Sequence, residues 1–201
     1  MTCAHKHRRS ITLAIALVSL LLPVRAEAHL PTIGLGPVYD GIFHLLLSPE
    51  DLIPAIALAL LAGQRGAGSS RRVLWVLPVA WLAGGLTGMF IGTARGSALI
   101  CFSFLLLGGL IAANAKISVL LTTALAAILG FFHGYLNGSG IKRFNDGAYS
   151  LLGLALAVFV VVALFTSFVI PLRQQCALIV VRVAGSWIAA SGLLMLGWAL
   201  R

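Results

Sequence analysis

The stretch Gly41-Ile-Phe-His-Leu-Leu-Leu-Ser-Pro-Glu-Asp-Leu-Ile-Pro-Ala-Ile-Ala-Leu-Ala-Leu-Leu-Ala62 decides how the chain is to be understood. It is long enough to cross a bilayer, which takes about 20 predominantly apolar residues. Yet it contains His44, Glu50 and Asp51, and Pro49 and Pro54 interrupt it. Ionisable groups at membrane depth cost roughly 2.5–3.5 kcal/mol each on insertion scales and usually face a pathway or a partner.

The remaining sequence puts this stretch in a membrane. The chain has 201 residues, 60% hydrophobic and 9% charged, with a mean hydropathy of +1.06. That composition excludes a soluble globular domain and points to an all-α polytopic membrane protein embedded in the lipid bilayer. The net charge of +9 does not indicate nucleic acid, because the basic residues are scattered between apolar runs and at the N-terminus. Such charges orient a protein in a membrane. Cys3, Cys101 and Cys176 show no CxxC spacing, so neither a disulfide framework nor a thiolate metal site is expected.

Residues 1–28 have the form of a cleaved signal peptide. Lys6, Arg8 and Arg9 precede an apolar run from Ile11 to Leu22, and Ala26-Glu27-Ala28 matches a small-residue cleavage site. Cleavage makes His29 the new N-terminus, whose α-amine and imidazole together can chelate a metal ion; a solvated terminal residue is the plain alternative. Residues 29–201 then form one transmembrane domain of six helical spans, at about 38–62, 73–91, 98–113, 117–137, 148–169 and 177–200. With the mature N-terminus extracytoplasmic, the cytoplasmic connections carry Arg65, Arg71, Arg72, Lys116 and Arg173. The outer ones carry Arg95, Lys142, Arg143 and Arg201. The bias is slight but agrees with the leader, and it places the protein in a bacterial inner membrane. Gly84, Gly88 and Gly92 are spaced for close helix packing, as are Gly185 and Ala189. Arg182 is expected either to snorkel to the interface or to pair with an acid of the first span.

The first span is predicted to break near Ser48-Pro49. Ser-Pro-Glu-Asp has the order of a helix start, with serine at the N-cap, proline at N1 and acids in the first turn. Pro54 cannot bond the carbonyl of Glu50, which leaves an oxygen beside two carboxylates. On a continuous helix, Asp40, His44 and Asp51 share a face, and His133 and Asn137 share another at i and i+4. At 1.5 Å per residue, His44 lies roughly 9 Å into the first span and His133 roughly 6 Å from the end of the fourth, at similar depth. His29, Asp40, His44, Glu50, Asp51, His133 and Asn137 are therefore the candidate metal ligands. Imidazoles with oxygen donors suit divalent transition metals such as nickel, zinc, cobalt or copper. Helix capping by Glu50 and Asp51, or a proton path through His and Asp, are the competing roles.

At these residues the chain resembles the HupE/UreJ family of hydrogenase and urease accessory membrane proteins. His44-Leu-Leu-Leu-Ser-Pro-Glu-Asp51 is similar to the family's first-span motif H-P-x-x-G-x-D-H. His133-Gly-Tyr-Leu-Asn137-Gly is similar to its later histidine-glycine motif, and Arg182-Val-Ala-Gly-Ser-Trp-Ile-Ala-Ala to its final span. Leu45 replaces a proline, Glu50 the aspartate and Asp51 the second histidine, giving an oxygen-richer set. The resemblance implies a nickel-type permease or metal-binding protein supplying metalloenzymes. The alternative is a non-transporting accessory subunit that meets a metalloenzyme partner or forms a homo-oligomer. An enzyme is not expected: Ser48 and Ser139 lie outside any GxSxG elbow.

Overall fold

In the computed structural model of the chain, residues 34–92, 96–141, 146–172 and 175–200 are described. The leader, His29, Arg95, Lys142, Arg143, Arg173 and Arg201 lie outside them. The described residues form seven helices: α1 Pro37–Leu47, α2 Pro49–Arg65, α3 Ala67–Ile91, α4 Ser97–Ala112, α5 Val119–Ile141, α6 Gly147–Val169 and α7 Gln175–Ala199. No strand occurs among them.

Among the described residues, four helices are long and apolar enough to cross a membrane, namely α3, α5, α6 and the stretch Leu178–Ala199 of α7. The pair α1 and α2 makes a fifth if counted as one span. The expected third span is α4, only 16 residues long. At 1.5 Å per residue it reaches about 24 Å, less than the ~30 Å hydrocarbon core. Of the six expected spans, four correspond to long helices, the first to the broken pair α1 and α2, and the third to the short helix α4.

The break falls at Ser48, where φ −105° and ψ 92° leave the helical region. Proline stands in the first turn of both flanking helices, where its missing N–H costs nothing. The two axes meet at 77°. Ser48 occupies the N-cap position, but its side chain makes no capping bond. Its carbonyl instead accepts the amides of Asp51 and Leu52 at 3.0 and 2.9 Å.

One expected loop is far shorter in the structure. Residues 63–72 were expected to be a loop, but only Gly66 leaves the helix, and its φ of 95° makes the whole turn between α2 and α3. A left-handed φ is open to glycine without Cβ strain. Gly92, expected on a packing face, instead ends α3 with φ 29°.

Small residues set how closely the helices pack. On α3 and α5, a Cβ at Gly84 would overlap the carbonyl of Phe131, and one at Gly134 would overlap that of Trp81. Gly88 and Gly138 meet Tyr135 and Gly85 in the same way. Gly108 of α4 rests on Gly185 and Ala189 of α7, and Gly41 of α1 on the Ser150 carbonyl of α6. Without a hydrophobic drive between helices in lipid, this close backbone contact supplies the packing energy. No ion pair joins Arg182 to an acid among the described residues; its Nε donates to the Ala112 carbonyl at 2.9 Å. That carbonyl is one of the groups left open at a helix C-terminus, where a cation is favoured.

Candidate cation site

Helix packing brings four of the seven candidate side chains together. Asp51 projects from the first turn of α2 and receives α5. His133 Nδ1 lies 2.9 Å from Asp51 Oδ1, and Asn137 Nδ2 donates to Asp51 Oδ2 at 2.9 Å. From α1, His44 Nε2 lies 2.5 Å from Asn137 Oδ1 and 3.8 Å from Asp51 Oδ2. The His133 side chain is 1% exposed, that of Asp51 7% and that of His44 22%. His44 is thus the open member of a closed cluster.

The hydrogen bonds define which atoms carry protons. Asn137 Nδ2 spends both hydrogens, one on Asp51 and one on the His133 carbonyl at 2.9 Å. Asn137 Oδ1 is therefore the acceptor toward His44, and His44 carries its proton on Nε2. No described hydrogen bond engages His44 Nδ1. On the other side of the cluster, Ser103 of α4 donates to the Ile100 carbonyl at 2.7 Å. Its oxygen lies 3.3 Å from His133 Nε2. With Asp51 as the carboxylate acceptor, the His133 Nδ1–H donates to it.

Two neighbours were not evident from spacing. Ser103 lies in the run Cys101-Phe-Ser-Phe104, with no partner in sequence to mark it. Trp81 of α3 packs its ring 5.4 Å from that of His133, and its indole N–H is buried without a hydrogen-bond partner among the described residues. The Gly134 contact on the Trp81 backbone holds this wall in place.

The other candidates lie apart or outside. Glu50 is exposed and lines a groove with Cys101, Leu194, Met195 and Trp198, where α4 begins and α7 ends. It points away because the helix start turns adjacent residues by about 100°. Asp40 is half-buried in the first turn of α1, one turn ahead of His44. His29 is outside the described residues. The chain bends by 77° between α1 and α2, and across this bend His44 and His133 both lie beside the Asp51 carboxylate.

No group of three or more His, Cys, Asp and Glu among the described residues is arranged to hold a metal ion as it stands. The donor set is nonetheless of the right chemistry, with imidazole nitrogens, a carboxylate and an amide oxygen suited to borderline divalent ions. Two donors on one ion at roughly 2.0–2.1 Å lie roughly 3.3–3.4 Å apart in tetrahedral geometry. The 2.9 Å spacing of His133 Nδ1 and Asp51 Oδ1 is within about 1 Å of that value.

Comparison with known proteins agrees with this architecture. A family model described as HupE / UreJ protein matches residues 15–195. The chain is 23% identical over 185 residues to Protein HupE of Rhizobium leguminosarum bv. viciae, covering 90% of this chain and 94% of that one. No solved structure matches. The chain belongs to the HupE/UreJ family.

Proposed function

We propose that this HupE/UreJ member is an inner-membrane protein that takes up a divalent transition-metal cation, nickel in type, for supply to metalloenzymes. One observation carries the reading: His44, Asp51, His133 and Asn137 meet across α1, α2 and α5 inside an otherwise apolar bundle. A buried cluster of this kind is costly in a membrane and is kept for ions or protons. The metal is cargo here, so a site that is hydrogen-bonded when empty and ligating when filled suits the role.

The topology that goes with this reading counts α1 and α2 as one broken span and α4 as a short one. With a cleaved leader, six spans place the acid-rich end outside and the Arg65–Arg72 turn inside. Cations meet His44 first, because it alone of the four is appreciably open. Its Nε2–H is held by Asn137, which orients the ring and leaves Nδ1 outward; metal-ligating histidines are commonly braced in this way. Ligands bind metal in their deprotonated forms, so a His133 nitrogen that takes the ion gives up its proton as it does so.

The mutual satisfaction of these side chains also supports a second reading, a non-transporting accessory subunit whose cluster only joins four helices. Uptake of nickel, cobalt and zinc into proteoliposomes separates the two. The transport reading expects uptake that collapses in His44→Ala combined with His133→Ala. Uptake unchanged in that double variant would sink the site assignment. A stoichiometric partner with no flux would favour the accessory role.

A further inference from the structure

The end of the bundle away from the His–Asp cluster carries a second polar group that cation uptake does not use. There α2 ends, α3 begins and α4 ends. Gln64 Nε2 donates to the Ile111 carbonyl at 3.3 Å, Arg65 Nη2 donates to Asn114 Oδ1, and Arg182 holds the Ala112 carbonyl. Two guanidinium groups therefore converge on residues 111–114.

The group leaves several polar atoms, mostly donors, without partners. Arg65 Nε and the hydroxyls of Ser69 and Ser70 are buried with no hydrogen-bond partner among the described residues, as is Gln64 Oε1. Ser69 is wholly buried and Ser70 is 4% exposed. Both follow Arg65 across the Gly66 turn, in the first turn of α3, where the helix dipole is positive. Charge is also segregated along the bundle. The described acids Asp40, Glu50, Asp51 and Asp146 all stand at the opposite end, where α1, α2 and α6 begin. Among the described residues, then, Arg65 meets a neutral amide and no carboxylate.

Two unpartnered hydroxyls and the open Nε of an uncompensated guanidinium outnumber the single open acceptor, Gln64 Oε1, and an anionic acceptor with several oxygens serves them together. A planar carboxylate offers two oxygens in one plane. A tetrahedral oxyanion can meet a guanidinium and two hydroxyls from different directions. The turn is also open to the surface, with Ala67, Gly68, Arg71 and Arg72 exposed beside it. We propose that Arg65, Ser69 and Ser70 form a binding site for a phosphate-class anion at the α2–α3 turn. Both an anionic lipid headgroup and free phosphate carry this chemistry.

The test uses the full chain in neutral detergent, titrated separately with inorganic phosphate and with short-chain phosphatidylglycerol, with thermal stability as the readout. Stabilisation by phosphate assigns the site to the free anion; stabilisation by phosphatidylglycerol alone assigns it to a headgroup. In either case Arg65→Gln, and Ser69→Ala with Ser70→Ala, weaken binding by at least about tenfold. Arg71→Gln with Arg72→Gln weakens it by less than about threefold. If Arg65→Gln does not fold, the serine pair decides. The proposal is overturned if neither ligand stabilises the wild type or if the serine variant binds like the wild type. Loss of binding in the Arg71/Arg72 variant alone overturns it too, since that outcome describes diffuse surface charge. None of these readings depends on cation uptake.

Discussion

Replacing Asp51 in two ways separates charge from hydrogen bonding. In Asp51→Ala, His133 Nδ1 and one Asn137 N–H lose their acceptors, each 2.9 Å away in the wild type. A buried donor left unsatisfied costs about 1–3 kcal/mol, so this change should destabilise the protein by about 2–6 kcal/mol before any cavity cost. Asp51→Asn is different, because the network can be rewired. The introduced amide oxygen accepts from Asn137, one of its N–H groups donates to the His133 Nδ1 lone pair, and the ring proton moves to Nε2 beside Ser103. His133 and Asn137 both keep a partner, so only the second amide N–H is left open, and stability should fall by less than in Asp51→Ala, by about 1–3 kcal/mol. The negative charge is nonetheless gone. Reversible unfolding in mixed micelles and uptake in proteoliposomes, on the same three proteins, give the answer. The expected outcome is Asp51→Asn folded but without uptake, and Asp51→Ala the less stable of the two and also without uptake. An Asp51→Asn variant as unstable as Asp51→Ala would refute this rewiring. Full uptake by Asp51→Asn would refute the role of the carboxylate charge.

Other perturbations test the frame around the site. Gly134→Ala places a Cβ against the Trp81 carbonyl, forcing α3 and α5 apart; overpacking of this kind costs typically about 1–3 kcal/mol, and unfolding with quenching of Trp fluorescence should report it. Ser48→Ala should change stability by less than about 0.5 kcal/mol, because the side chain makes no capping bond; a larger loss in micelle unfolding would mean that the hydroxyl does cap. Arg182→Ala removes one exposed bond to a helix-end carbonyl and should cost less than about 1 kcal/mol in the same assay. Ser103→Ala should leave folding nearly intact but lower the metal affinity measured by titration, since it frees the far nitrogen of His133.

Much of this arrangement was legible in residue order. Ser48-Pro49-Glu50-Asp51 announced a helix start inside an apolar run, and the chain breaks there. The i, i+4 spacing of His133 and Asn137 correctly placed both on one face of α5, and both bond Asp51. What residue order could not carry is direction. A break does not state its angle, so the 77° turn of α1 was invisible. Nor does order say which neighbour waits on each side of a helix start, and Glu50, about 100° round the helix from Asp51, meets α4 and α7. Ser103 and Trp81 were missed because a hydroxyl or indole in an apolar helix has no sequence signature until its neighbour is known. The Gly-Ser run at 66–70 looked like a loop by composition, but one left-handed glycine sufficed for the turn, and the serines were drawn into α3.

The most direct test of the central claim is X-ray absorption spectroscopy of the full chain loaded with nickel or zinc. The account predicts a stoichiometric ion with nitrogen and oxygen donors at about 2.0–2.1 Å, including imidazole scattering that declines in His44→Ala and again when His133→Ala is added. No stoichiometric ion, or a spectrum unchanged in the double variant, would contradict it.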